Sequence, residues 1–399
     1  MAPRWDLDRA REHDRADELK EVRQRFVLPS GVVYLDGNSL GPLAVGVAER
    51  LRHTVAEEWG TVLGPAWGSC GWMEAPERVG DRIAPLIGAR PGEVLVADTT
   101  SIALAKLVGA ALAARPERRV VLSSEDNFPS DLFAIAGAAR LAGAELRVVE
   151  RSGLAGALDG EVALLCLTHV DFRTGELHDV RAMTAAAHAA GSLVLFDLCH
   201  SAGAVPVGLE EHGVDLAVGC TYKYLNGGPG SPSFLYVRRE LQDVLENPLP
   251  GWLGHREPFG FELSFEPAHG IGRFRTSTPP VVALAALDAA LDAFEGVTIE
   301  QVRAKSSALG QLFIEVVEDA GVDGLEVASP VDPERRGSHV ALRHPRSEEI
   351  VAGAAAQGVV GDFRAPDLAR FGLSPLYLSF EEVYAAAEVV VATARALAA

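Results

Sequence analysis

LVLFDLCHSAGAVPVGLEEHGVDLAVGCTYK, residues 193–223, holds two short apolar runs, Leu193–Phe196 and Leu216–Cys220. Polar side chains follow each: Asp197 and His200 after the first, Lys223 after the second. Upstream, Val180–Ala190 reads as a helix closed by Gly191, and strands are predicted at Val162–Leu167, Leu146–Val149 and Val120–Leu122. Helices are predicted among them at Asp131–Ala142 and Ser101–Ala114, the latter with Thr99 or Thr100 as its cap. One more strand is expected at Ser233–Val237. Short apolar strands alternating with helices predict an α/β fold whose mostly parallel sheet is covered on both faces.

On the N-terminal side, residues 1–29 read as a polar helical arm, and 46–59 as a helix with Val47, Leu51 and Val55 on one face. The pattern changes near Pro279-Pro280. Helices are expected at Val281–Phe294 and Ile299–Ala320, short strands near Val340–Leu342 and Val359–Asp362, and a last helix at Phe380–Ala398. The expected division is an arm and loop at 1–45, a large domain at 46–280 and a smaller α+β domain at 281–399.

The chain has 399 residues, 48% hydrophobic, enough for a large core. Its net charge of −19 argues against nucleic acid or an anionic membrane as a partner. The four cysteines, Cys70, Cys166, Cys199 and Cys220, show no metal-ligand spacing and read as free thiols. The charged N-terminus has no apolar signal core, and no apolar stretch reaches the length of a membrane span. A cytoplasmic protein is expected.

Open α/β sheets bind ligands at the carboxyl ends of their strands. There stand Asp197, Lys223, and the pair Thr168 and His169. A lysine and a carboxylate in such apolar settings suit a pyridoxal 5′-phosphate (PLP) site, with the lysine as Schiff-base partner and the aspartate on the ring nitrogen. The plainer alternative is a buried Asp–Lys ion pair. Asp98-Thr-Thr-Ser101 opens a helix and suits a phosphate, although hydroxyls there often only cap. In Phe128-Pro-Ser-Asp131, Phe128 suits stacking on a flat ring while Ser130 or Asp131 bonds its edge; alternatively Asp131 caps its own helix. Gly227-Gly-Pro-Gly230 reads as a turn, not a dinucleotide fingerprint.

Gly219-Cys-Thr-Tyr-Lys-Tyr-Leu-Asn-Gly-Gly-Pro-Gly230 resembles the lysine segment of the kynureninase family. Five further segments resemble that family in collinear order: 34–42 (YLDGNSLGP), 167–175 (LTHVDFRTG), 196–203 (FDLCHSAG), 251–255 (GWLGH) and 370–377 (RFGLSPLY). The resemblance implies a fold-type I PLP-dependent transferase fold and a homodimer with shared active sites. It also implies hydrolysis of L-kynurenine to anthranilate and L-alanine. Position by position, it implies that Lys223 bonds PLP, Asp197 holds the pyridinium nitrogen, Phe128 stacks on the ring and Asp131 lies near its edge with Ser130. Thr100, Ser101 and Tyr222 hold the phosphate, and Thr168 and His200 complete the cofactor shell. Trp252 and Thr278 arrive from the neighbouring subunit. Arg370 pairs with the substrate carboxylate, the 34–42 loop brings Asn38 and Ser39 to the substrate, and Tyr222 is a candidate acid or base.

Family members that prefer 3-hydroxykynurenine carry His and Asn near Thr61 and Thr278, so kynurenine itself is the expected substrate. Two rivals stand beside this reading. One is another fold-type I enzyme, such as a cysteine desulfurase, for which Cys70 is the candidate nucleophile, or a small-molecule lyase. The other is a non-catalytic protein of the same fold, against which Lys223, Asp197 and Arg370 argue.

Overall fold

The computed structural model describes residues 4–398. Seven strands form the main sheet: β1 (Val94–Val96), β2 (Val120–Ser124), β3 (Glu145–Val149), β4 (Val162–Thr168), β5 (Leu193–Asp197), β6 (Leu216–Gly219) and β7 (Phe234–Val237). Their order is β1-β7-β6-β5-β4-β2-β3. Strands β2 to β6 run parallel, and β7 is antiparallel to β1 and β6. Every residue of β4, β5 and β6 is buried, which is why they read as continuous apolar runs. Alternation sends Leu165, Val194, Phe196 and Ala217 into one core and Leu164, Cys166, Leu195 and Val218 into the other.

Helices α1 (Leu7–Ala16), α2 (Ala75–Ile87), α3 (Thr100–Ala113), α4 (Pro129–Leu141), α5 (Val180–Ala189), α6 (Val281–Ala290), α7 (Ile299–Ala320) and α8 (Phe380–Ala398) carry most of the remaining regular structure. The start of α7 is set by a capping box, in which Thr298 Oγ1 accepts from Gln301 N at 3.2 Å and Gln301 Oε1 from Thr298 N at 3.0 Å. A second sheet is antiparallel: β8 (Glu326–Val327), β9 (His339–Arg343), β11 (Leu368–Gly372) and β10 (Asp362–Arg364), in that spatial order. The N-terminal arm is bound to this second layer. Asp14 accepts the first N–H groups of α8, from Phe380 and Glu381, and Asp17 pairs with the buried Lys305 at 2.7 Å. Val33–Tyr34 pairs in parallel with Val359–Val360. Helix α6 packs on Val47–His53 and α2.

Several expectations need correction. The 46–59 helix is α-helical only over Val47–His53 and continues as a wider π-type coil over Thr54–Val62. Thr99 does stand at the cap of α3 as expected, though its side chain makes no capping bond. Helix α4 begins at Pro129, with Phe128 at its cap, so Asp131 lies in the first turn and does not cap. Elements not foreseen include α2, β1, β8, β11 and a helix at Ser347–Ala355. No described helix is long and apolar enough to cross a membrane.

Candidate active site

The register of the main sheet places Thr168 beside Asp197, and Asp197 beside Val218. Asp197 is buried, and its Oδ1 accepts the Cys199 N–H at 2.7 Å. Asp131, from the first turn of α4, is buried near it. Burial, and then the charge of Asp197, push the Asp131 carboxyl far above the usual carboxylate range, and its Oδ2 has no partner. Two carboxylates buried together require a shared proton or a cation.

Lys223 is half-buried beyond β6, its Nζ 3.0 Å from Nε2 of His200 and 5.9 Å from the centre of the Tyr222 ring. Burial, and then the lysine charge, hold His200 well below the ordinary histidine range, so a neutral imidazole accepts from the amine. Among the described residues Lys223 makes no ion pair, so the plain Asp–Lys bridge is not what the chain builds. Thr168 donates to the Val170 carbonyl at 3.0 Å.

Thr100 and Ser101 open α3, and Ser130 opens α4 beside it, with Ser101 Oγ and Ser130 Oγ 3.4 Å apart. Two helix N-termini with hydroxyls between them favour an anion. The turn before α3 is locked from behind. Asp98 has φ +53°, and its carboxylate binds the fully buried Lys106, which also donates to the Phe274 carbonyl at 3.0 Å. Lys106 was missed, although a single lysine inside the apolar run 102–113 is a legible signal. Phe128 is exposed and meets Phe172 edge-on at 5.0 Å.

Arg370 is buried in β11, and each of its three nitrogens makes one hydrogen bond. Nε donates to Asp362 Oδ1 at 2.8 Å, Nη2 to Asp362 Oδ2 and Nη1 to the Phe172 carbonyl. The same carboxylate accepts from Ser39 Oγ at 2.7 Å and pairs with Arg364 at 2.8 Å. Asp36 adds a second carboxylate to this cluster of two guanidinium groups, and burial pushes its carboxyl up to about 6. Asn38 is fully buried with neither amide atom partnered. It is held by close backbone approaches: a Cβ on Gly372 would stand 2.2 Å from Asn38 Oδ1, and one on Gly41 would stand 2.3 Å from the Lys223 carbonyl. The Gly41 N–H also donates to the Tyr222 carbonyl at 2.8 Å, joining the 34–42 loop to the lysine segment. His339 lies with its ring 5.5 Å from His200, both nitrogens unpartnered, and burial lowers it to about 3. Arg364, Asp362 and His339 carry no sequence signal of their own; only the pairing of β9, β10 and β11 brings them here.

Other expected residues stand apart within one chain. Trp252 packs against Phe259 at 5.7 Å, Thr278 is exposed, and Thr61 donates to the Ala56 carbonyl at 3.2 Å. Cys70 lies beside Ser69 Oγ at 3.8 Å, and no described contact joins it to Lys223.

A half-buried amine, an acidic pair with an unpartnered oxygen and a hydroxyl-lined double helix terminus match the aldehyde, ring nitrogen and phosphate of PLP. Among solved structures, the cysteine desulfurase of Thermococcus onnurineus NA1 is similar in fold, with TM-score 0.79 and 18% identity, covering 95% of this chain and 97% of that one. The Escherichia coli cysteine desulfurase CsdA gives TM-score 0.78 at 20% identity, over 94% and 98%. The fold is thus the fold-type I architecture. A family model for the kynureninase C-terminal domain matches residues 302–390. The kynureninase of Pseudomonas fluorescens is 46% identical over 385 residues, 94% of this chain and 92% of that one, and that of Burkholderia pseudomallei (strain 1106a) is 45% identical over 386 residues with the same coverage. The chain belongs to the kynureninase family.

Proposed function

We propose that this chain is a PLP-dependent hydrolase that cleaves L-kynurenine to anthranilate and L-alanine. The observation that carries the reading is the placing of the half-buried Lys223, on neutral His200, and the buried Asp197–Asp131 pair around the ends of β5 and β6, in a chain 46% identical to a kynureninase. In this reading Lys223 bonds the cofactor and Asp197, backed by Asp131, faces the ring nitrogen. Phe128 covers the ring. Thr100, Ser101, Ser130 and Tyr222 surround the phosphate, with Thr168 and His200 completing the shell.

When bound, PLP supplies an electron sink for breaking bonds at the substrate's α- and β-carbons. The chain supplies the rest. Lys223 Nζ, displaced by the substrate amine, moves the α-proton. Tyr222, next to Lys223, is the candidate acid or base for hydration of the aryl ketone, and burial raises its phenol, so bound substrate and cofactor must bring it back toward the working range. Arg370, with Arg364 beside the same carboxylate, supplies the positive charge for the substrate carboxylate. The unpartnered Asn38 amide and the Ser39 hydroxyl face the same substrate.

The exposed Trp252 and Thr278 support a homodimer in which each completes the partner's site. The four free thiols suit a reducing compartment, and we place the enzyme in the cytoplasm. Borohydride treatment of the PLP-loaded protein, followed by peptide mapping, is expected to find the reduced cofactor on Lys223. A label on another lysine, or none, would remove the assignment.

A further inference from the structure

Cys199 and Cys220 have no part in the chemistry above. Strands β5 and β6 share one register, with Leu195 opposite Leu216 and Asp197 opposite Val218. Carried two residues further, that register sets Cys199 opposite Cys220. The strand ends are tied there: Leu198 N donates to the Val218 carbonyl at 2.7 Å. The Cys220 N–H donates to the Cys199 sulfur at 3.2 Å, and the Cys220 thiol donates to the Cys199 carbonyl at 3.7 Å. Neighbouring strands lie about 4.8 Å apart. A disulfide spans Cα separations of about 4.4–6.8 Å.

The pair also sits inside the site. Asp197 Oδ1 accepts from Cys199 N, the Thr100 hydroxyl is 3.9 Å from the Cys199 sulfur, and Lys223 follows Cys220 by three residues. Cys199 is partly exposed and Cys220 is buried. Burial raises the Cys220 thiol, but the Cys199 thiol and the Lys223 charge outweigh it and hold Cys220 below the usual cysteine value. Cys166, by contrast, is buried within β4, and Cys70 lies beside Ser69.

We propose that Cys199 and Cys220 form a dithiol that a peroxide converts to a disulfide when the cofactor is absent, and that this linkage weakens PLP binding. One thiol takes an oxygen from the peroxide to become a sulfenic acid, releasing one water. The sulfur of the other thiol then displaces a second water as the S–S bond forms. Two electrons and two protons leave the cysteines, and the peroxide O–O bond is reduced to two waters. Drawing the sulfurs to about 2.05 Å breaks both sulfur hydrogen bonds. It also turns Cys199 away from Thr100 and displaces the segment that carries Tyr222 and Lys223. A bound cofactor covers the hydroxyl cradle beside Cys199, so the loaded enzyme is protected. The linkage stands on strand register alone, whereas its consequence rests on the PLP reading above, and the two are measured separately.

The test treats full-length protein, stripped of PLP or loaded with it, with hydrogen peroxide. Peptide mapping follows alkylation, and PLP binding is then titrated by absorbance. A Cys199–Cys220 linked peptide, reversed by dithiothreitol, is expected in the stripped protein. It should form at least about tenfold more slowly when PLP is bound, and oxidised protein should bind PLP at least about tenfold more weakly than reduced protein. Cys199→Ser and Cys220→Ser should each lose the linkage and keep their PLP affinity after peroxide, while Cys70→Ser should still form it. Should either serine variant fail to fold, mapping of the unmutated chain decides. Peroxide products without the Cys199–Cys220 linkage, or a linkage that leaves PLP binding unmoved, overturn the proposal.

Discussion

A lysine three residues beyond the apolar strand run is costly unless it pairs or reacts, and among the described residues the Lys223 amine bonds only the neutral His200. Lys223→Ala is therefore expected to abolish turnover while the thermal melt stays within a few degrees of the parent. Near-normal kynurenine cleavage by the purified variant would refute the role. Asp131 gives a pH test. Its carboxyl is raised in the folded chain, so its protonated form favours folding. That contribution is full below pH 3.8 and is lost as pH climbs toward about 9. Between about pH 5 and about pH 8, the melting temperature of cofactor-free protein should fall more steeply, by a few degrees, than that of Asp131→Asn. Parallel curves for the two proteins would contradict the buried acid pair. Asp197→Asn is expected to weaken PLP binding and slow proton transfer, because the ring nitrogen loses its carboxylate. An unchanged cofactor spectrum and unchanged kinetics would make Asp197 structural.

Among the elements, the 34–42 loop depends on one close approach. A Cβ on Gly41 would lie 2.3 Å from the Lys223 carbonyl and 2.8 Å from Asn226 Cα, both backbone atoms that cannot swing aside. Gly41→Ala should cost about 1–3 kcal/mol through overpacking. It should also lower kcat/KM at least about tenfold, because Asn38 and Ser39 ride on this loop. Melting and steady-state kinetics together check it, and full activity would show that the loop tolerates displacement. The same scale explains what the residues made legible. Strands β4 to β6 were readable because burial on both faces leaves an unbroken apolar run. Strand β11 is equally buried, but Arg370 stands in its middle and breaks the pattern, since its burial depends on Asp362 and Phe172 far away in sequence. Helix α2 carries Pro76 and Pro85, which argue against a helix until the first falls in the opening turn and the second is tolerated inside. Lys223, Asp197 and the hydroxyls of 100–101 stand at element ends, where short-range pattern suffices. His339, Asp362 and Arg364 depend on tertiary pairing, which local pattern does not carry.

For the whole molecule, the reading requires two copies. Trp252 and Thr278 lie on the exposed surface, and under the proposed reading they would complete the site from a partner. If Thr278 and Thr61 leave a ring hydroxyl without a hydrogen-bond partner, each missing contact costs about 1.4 kcal/mol, about tenfold in specificity. Kynurenine should thus be preferred over 3-hydroxykynurenine in kcat/KM, and Thr278→Asn should narrow the ratio. Preference for the hydroxylated substrate would reverse the assignment, and an unmoved ratio would clear Thr278. The central claim, carbon–carbon hydrolysis at Lys223, is tested most directly by incubating the purified PLP-loaded chain with L-kynurenine and following anthranilate fluorescence and L-alanine together. Equimolar anthranilate and alanine, absent with Lys223→Ala, is the outcome this account predicts; consumption of kynurenine without anthranilate, or no reaction by fully PLP-loaded protein, would contradict it.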